Sequence, residues 1–81
     1  MIGAPQIRAA RALLNISQSD LADSASVSPA TIKRLEAASE VRGTAESLWK
    51  VEKALEELGV EFIAAESDRG PGVRLRVTAA E

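Results

Sequence analysis

Apolar residues recur three or four positions apart through most of the first 59 residues. This spacing is typical of amphipathic helices that bury one face. Interruptions at residues 15–17, 26–28 and 39–44 divide the pattern, so the sequence predicts four helices. They are expected over residues 5–14, 18–25, 29–38 and 45–58, with Gly59 ending the last one.

The predicted helix boundaries coincide with capping residues. Asn15 can end helix one in a left-handed conformation. Ser17 is a predicted N-cap of helix two, and Asp20, three residues later, completes an acidic variant of the capping box. Ser28 and Thr44 are the predicted N-caps of helices three and four.

After Gly59 the period of the apolar positions changes to two, which is typical of strands. The alternating positions are Val60, Phe62 and Ala64 in one segment and Val73, Leu75 and Val77 in the next. Residues 68–72 between them contain two glycines and a proline and predict a loose turn. Because a lone hairpin is only marginally stable, it is expected to dock on helix four, to pair with a second subunit, or both.

The predicted fold is therefore mostly α, with four helices in residues 1–59 and a C-terminal β-hairpin in residues 60–81, all within one domain. Residues 18–37 combine two short amphipathic helices with a turn too tight for either helix to continue. Their inward positions are Leu21, Ala25, Val27, Ile32 and Leu35, and Ala22 is small where the two helices must approach. This arrangement is a helix-turn-helix, whose second helix can lie in the major groove of DNA.

The same segment resembles the DNA-binding unit of the lambda-repressor/Cro family, also called the xenobiotic-response-element type. The matching residues are Ser17, Gln18, Leu21, Ala22, Val27, Ser28, Ile32, Leu35 and Glu36. The resemblance covers residues 5–59 and implies a homodimeric regulator from a bacterium, a phage or a conjugative element. The family commonly has glycine where this chain has Ser26, so a serine is expected at positive φ, or the turn must change shape.

The resemblance implies DNA contacts at the start of helix two, along helix three and in the following loop. The implied residues are Gln18, Ser28, Pro29, Ala30, Thr31, Lys33, Arg34 and Arg42. Gln18 is expected to contact a phosphate, unless its amide only caps its own helix. Arg34 is expected to bind a guanine and Lys33 a phosphate, although by themselves they would be an ordinary solvated pair.

The smaller positions of helix three suggest a different kind of contact. Ala30 and Thr31 can touch a thymine methyl group or a phosphate. Relatives often have long polar side chains where this chain has Pro29 and Ala30, so greater reliance on DNA shape is expected. Arg42 either contacts the DNA backbone or minor groove, or makes no contact with DNA.

Two further groups have expected structural roles. The resemblance implies a partly buried ion pair between Arg11 and Glu36 that ties helix one to the end of helix three. Trp49 lies one position away from the core stripe of helix four, where it either closes the core or anchors a dimer. The candidate dimer interface consists of Trp49, Phe62, Val73, Leu75 and Val77.

The composition excludes several classes of function. The chain has 81 residues, enough for one domain, and contains neither cysteine nor histidine. Thiolate and imidazole metal sites are therefore excluded, and no metal or cofactor is expected. No apolar run is long enough to cross a membrane and no signal-peptide pattern is present, so a cytoplasmic location is expected.

The net charge of −2 weighs against a general polyanion binder. Residues 1–43 carry five basic and four acidic side chains, whereas residues 44–81 carry five basic and eight acidic ones. The negative excess therefore lies in the half expected to face away from DNA. The local field of the docking face, rather than the sum, decides whether phosphates bind.

The sequence most favours a homodimeric, sequence-specific transcriptional regulator, most simply a repressor, that binds a near-palindromic operator. The alternative is an antitoxin or antiactivator that uses the same fold mainly to bind another protein. An enzyme is disfavoured because no nucleophile–base pair, glycine-rich phosphate loop or metal cluster is evident.

Overall fold

Within residues 2–37 and 45–77, which the computed structural model describes, the chain forms four helices and a two-stranded hairpin. The elements are α1 (Ala4–Leu14), α2 (Gln18–Ala25), α3 (Pro29–Ala37), α4 (Ala45–Glu57), β1 (Val60–Ile63) and β2 (Gly72–Leu75). The mostly α fold with a C-terminal hairpin that the sequence predicts is confirmed. The expected Thr44 cap and the loop at residues 39–43 lie outside the described residues.

Left-handed residues end the first two helices. Asn15 has φ 57° and Ser26 has φ 58°, and each donates its N–H back into the helix that it ends. Asparagine tolerates this conformation better than serine does, so the strain is concentrated at Ser26. The N–H of Asp20 donates to Ser17 Oγ at 2.9 Å, and the N–H of Ser17 donates to Asp20 Oδ2 at 3.1 Å. The predicted capping box is thus confirmed, and these bonds lower the pKa of Asp20.

The core lies between the helix-turn-helix pair, α1 and α4. Its fully buried large side chains are Ile7, Leu21, Ile32, Leu35, Leu48, Val51, Leu55 and Val60. Ala22 has no exposed surface, as expected for a small residue where helices approach closely. None of the helices in the described ranges is long and apolar enough to cross a membrane.

The hairpin places most of its apolar residues on one face. Val60 pairs with Leu75 and Phe62 with Val73, so these side chains share a face of the sheet. Val60 is fully buried, and Phe62 and Val73 pack against the core. The chain reverses at residues 67–68 rather than in the predicted loose turn at residues 68–72, because the backbones of residues 66 and 69 pair with each other.

Both strands are shorter than the alternating pattern predicts. Ala64 lies outside β1, and Val77 lies outside β2 with 93% of its surface exposed. β1 contacts α4, as one of the expected arrangements requires, but β2 also contacts α1. This second contact is reinforced by Gln6, whose Nε2 donates to the Gly72 carbonyl at 3.0 Å while its Oε1 accepts from the Gly3 N–H at 2.9 Å.

Candidate nucleic-acid interface

The outer surface of α3 is separated from the core by the amphipathic pattern of its sequence. Ile32 and Leu35 point inward and are buried, and Glu36 beside them is 4% exposed. The residues that remain exposed on this segment include Ser28, Pro29, Ala30, Lys33 and Arg34, and Thr31 is half-buried. The predicted base-contacting residues are therefore brought together on one accessible side of the helix.

The first turn of α3 is capped by Ser28. Its Oγ accepts the backbone N–H of Thr31 at 3.1 Å, and its carbonyl accepts the N–H groups of Thr31 and Ile32. Pro29 follows as the first helical residue, where no N–H is needed. The cap fixes where α3 begins and hence which side chains lie at its exposed tip.

Two cations, Lys33 and Arg34, extend from this surface. Within residues 2–37 and 45–77, neither Lys33 nor Arg34 lies within 4.0 Å of a carboxylate oxygen. Arg34 donates from Nη2 to Thr31 Oγ1 at 3.3 Å, so its guanidinium lies back toward the start of the helix. The outer face of α3 therefore carries local positive charge despite the net charge of −2.

Arg11 and Glu36 lie in contact across the back of α3. Arg11 donates from Nε to Glu36 Oε2 at 2.7 Å and from Nη2 to Glu36 Oε1 at 2.9 Å, a bidentate pair. A third donor of Arg11, Nη1, binds the Ile16 carbonyl at 3.1 Å. The hydrogen bond with Glu36 raises the pKa of Arg11. The geometry ties α1 to the end of α3, the role that the family resemblance implies for this pair.

The environment of Glu36 favours its charged form. Burial acts to raise the pKa of this carboxyl. Hydrogen bonds from Arg11 and Gln18, with the charges of Arg11 and Arg8, outweigh burial and hold the pKa below its ordinary value. Arg8 also donates from Nη1 to the backbone carbonyl of Glu36. Neither Arg8 nor Gln18 was connected to Glu36 by sequence reasoning, although Arg8 lies one turn from Arg11 on α1.

Gln18 is half-buried at the start of α2, next to this ion pair. Its Nε2 donates to Glu36 Oε1 at 3.1 Å, so the amide is held by a residue of α3. An amide nitrogen has two hydrogens, and the second remains for an external acceptor. The unpaired N–H groups at a helix start also favour an anion. The site thus contains a rigid candidate phosphate contact beside the exposed face of α3.

A family model described as Helix-turn-helix matches residues 7–62, more than two thirds of the chain. The chain belongs to this lambda-repressor/Cro-like family. It is accordingly a DNA-binding protein of the transcriptional-regulator type. All the helices described above lie wholly or largely within the matched range, which ends inside β1. No curated protein matches the chain.

The remaining candidate residues of this helix-turn-helix protein are dispersed. Phe62 and Val73 pair across the hairpin and pack against the core of their own chain. Leu75 is 46% exposed, and Trp49, on the outer side of α4, is 58% exposed. The Lys53 ammonium lies 5.9 Å from the centre of the Trp49 ring, a cation–π distance. Arg42 lies outside the described residues.

Proposed function

We propose that the protein binds a near-palindromic operator as a homodimer, with one α3 helix in each of two successive major grooves. One observation carries the proposal: the accessible face of α3 holds two cations, Lys33 and Arg34, that have no acidic partner among the described residues. Ile32 and Leu35 of the same helix are buried, so the opposite side is free to meet base edges.

The residue roles follow from chemistry and position. Arg34 binds a guanine through paired N–H donors, which is the commonest specific contact in the major groove. Lys33 is a point charge and binds a phosphate. Ala30 packs against a thymine methyl group, and the free amide hydrogen of Gln18 binds a phosphate together with the start of α2.

Selection of duplexes from random-sequence DNA, followed by gel-shift titration at a stated salt concentration, tests this assignment. Arg34→Ala is expected to weaken binding to the selected duplex by roughly fivefold to a hundredfold, and to make binding indifferent to the base that Arg34 reads. Arg69→Ala is the matched control, because Arg69 is an exposed arginine of the hairpin turn. Equal losses in both variants would contradict a base contact by Arg34.

Dimerisation is proposed because a single α3 spans only a few base pairs, whereas two copies on one side of DNA read half-sites about 34 Å apart. The exposed apolar side chains of Trp49 and Leu75 are suited to such an interface. Sedimentation velocity should show a dimer that Trp49→Lys or Leu75→Lys dissociates and that Ala12→Lys, on exposed α1 surface, does not. A parent protein that remains monomeric on its selected duplex would contradict the proposal.

Repression is the simplest regulatory consequence, since a dimer bound over a promoter blocks polymerase. Transcription in vitro from a promoter overlapping the selected sequence is expected to fall as the protein is added. If the chain selects no duplex at physiological salt but co-purifies with one protein in a defined ratio, its role is that of an antitoxin or antiactivator instead.

A further inference from the structure

A chain of three hydrogen-bonding side chains runs along the exposed face of α3. Arg34 Nη2 donates to Thr31 Oγ1 at 3.3 Å, and Thr31 Oγ1 lies 3.0 Å from Ser28 Oγ. We propose that Thr31 is a positioning residue, which holds the guanidinium of Arg34 in the orientation used for base recognition. The inference rests on the proposed function and assigns the Thr31 hydroxyl to Arg34 rather than to DNA.

The direction of the hydrogen bond between Arg34 and Thr31 follows from the donors available. A guanidinium can only donate, so Thr31 Oγ1 is the acceptor for Arg34. Thr31 Oγ1 also lies within hydrogen-bond distance of Ser28 Oγ, and either hydroxyl can be the donor between them. Ser28 Oγ accepts the N–H of Thr31 as well. The Thr31 hydroxyl is therefore in contact with side chains of its own helix segment on both sides.

The contact with Thr31 leaves Arg34 able to bind a base. A guanidinium carries five N–H groups, of which Thr31 takes one on Nη2. The other hydrogen of Nη2 and those of Nη1 still form the two-pronged edge that matches O6 and N7 of guanine. Thr31 therefore steadies the side chain from the helix side without covering its binding edge.

The advantage is entropic. Arginine has many rotamers, and fixing such a side chain on binding costs conformational entropy, so a side chain already held in place binds more tightly. Thr31 is half-buried and lies one helical turn from Arg34, so its hydroxyl is held in place on the helix. The backbone cap at Ser28 does not depend on this hydroxyl, because the Thr31 N–H forms it.

Thr31→Val and Thr31→Ser test the proposal in the full chain. Valine keeps the shape of threonine and the backbone cap but removes the hydroxyl, whereas serine retains it. The probes are the duplex selected from random DNA and the same duplex with the guanine read by Arg34 replaced. Thr31→Val is expected to reduce the ratio of the two affinities by about threefold to tenfold, and Thr31→Ser to restore most of it.

Further measurements distinguish a positioning role of Thr31 from a general loss of folded structure. In an Arg34→Ala background, Thr31→Val is expected to leave the ratio unchanged, because its effect acts through the missing side chain. In the DNA-free protein, NMR relaxation of the Arg34 Nε–H group should show greater motion in Thr31→Val than in the parent or in Thr31→Ser. Thermal unfolding of each variant shows whether the fold is intact.

The outcomes distinguish this inference from the proposed function. If Arg34→Ala loses discrimination while Thr31→Val keeps both the parent ratio and the parent Arg34 motion, the positioning role is wrong and the DNA-binding proposal stands. An equal loss of affinity of Thr31→Val for both duplexes would show a direct phosphate contact and would also overturn it. If the parent selects no duplex, the proposed function fails and the base-recognition role of Thr31 fails with it.

Discussion

The outer faces of α3 and α4 are both exposed and both carry two basic residues, but their charges are arranged differently. On α4, Lys50 Nζ lies 3.4 Å from Glu46 Oε1 and Lys53 Nζ lies 3.5 Å from Glu56 Oε1. Each lysine is therefore paired with an acid of its own helix. On α3, Lys33 and Arg34 have no acidic partner within the described ranges, and the helix keeps its one acid, Glu36, buried. Among the described residues, the outer face of α3 therefore carries unpaired positive charge, whereas the lysines of α4 are paired.

The ion pairs of the two helices also differ in how much they contribute to the free energy of unfolding. Arg11→Met leaves the Glu36 carboxylate buried without its main partner and is expected to lower the free energy of unfolding by about 3–5 kcal/mol. Lys50→Met breaks an exposed pair on α4, which contributes only about 0.3–0.5 kcal/mol. Urea titration followed by circular dichroism measures both. Similar losses in the two variants would show that the Arg11–Glu36 pair is not effectively buried.

Introducing an acid on α3 would make its outer face resemble that of α4. Ala30→Glu places a carboxylate four residues before Arg34 and three before Lys33, at spacings that allow pairing. Affinity for the selected duplex is expected to fall more than about tenfold, because phosphate repulsion joins the loss of free cations. The fold should remain intact, since an acid is favourable in the first turn of a helix.

Ala65→Glu, in the exposed hairpin loop, is the control for the same change in net charge. It should bind the duplex nearly as the parent does in the gel shift. A comparable loss in this control would show that total charge, and not the α3 face, governs binding.

The buried acid of α3, Glu36, should also make stability depend on pH. Because the pKa of Glu36 is lower in the folded protein than in the unfolded chain, its contribution to stability is fully present above the ordinary pKa of a glutamate. That contribution is lost as the pH falls through the folded pKa. Glu36→Gln should therefore narrow the difference in unfolding free energy between pH 7 and acidic solution. An unchanged pH profile would exclude Glu36 as a source of acid sensitivity.

The lysines of the two faces should differ in how they affect the salt dependence of DNA binding. This is the smallest of the expected effects. Lys33→Ala should weaken binding about equally for all duplexes and reduce the slope of log affinity against log salt by about 1. Lys50→Ala should leave this slope as it is, because its charge is already paired with Glu46. Fluorescence anisotropy over a range of salt concentrations measures both slopes. Equal slopes for Lys33→Ala and the parent would show that Lys33 does not contact a phosphate.

Local signals in the sequence are enough to predict the helices and their ends. Asn15, Ser17 and Ser28 act through neighbours within three or four residues, so their capping roles can be recognised without a structure. The outward position of Arg34 follows in the same way from helical periodicity, since Ile32 and Leu35 define the buried side.

Contacts between distant segments could not be predicted in this way. The bonds from Gln18 to Glu36 and from Gln6 to Gly72 depend on how helices and hairpin pack, and several polar partners were equally available in the sequence. The direction of the Arg34 side chain toward Thr31 is a rotamer choice, on which periodicity gives no information. The hairpin turn was misplaced because its glycines and proline lie beside the reversal and not within it.

The left-handed Ser26 makes the turn between α2 and α3 a natural point for engineering. A residue other than glycine in this conformation costs roughly 1–2 kcal/mol, and glycine would avoid most of that cost at some expense in chain entropy. Ser26→Gly should therefore raise the melting temperature by a few degrees while the packing of α3 is retained. The native serine therefore leaves the protein less thermostable than the same backbone would be with glycine at this position.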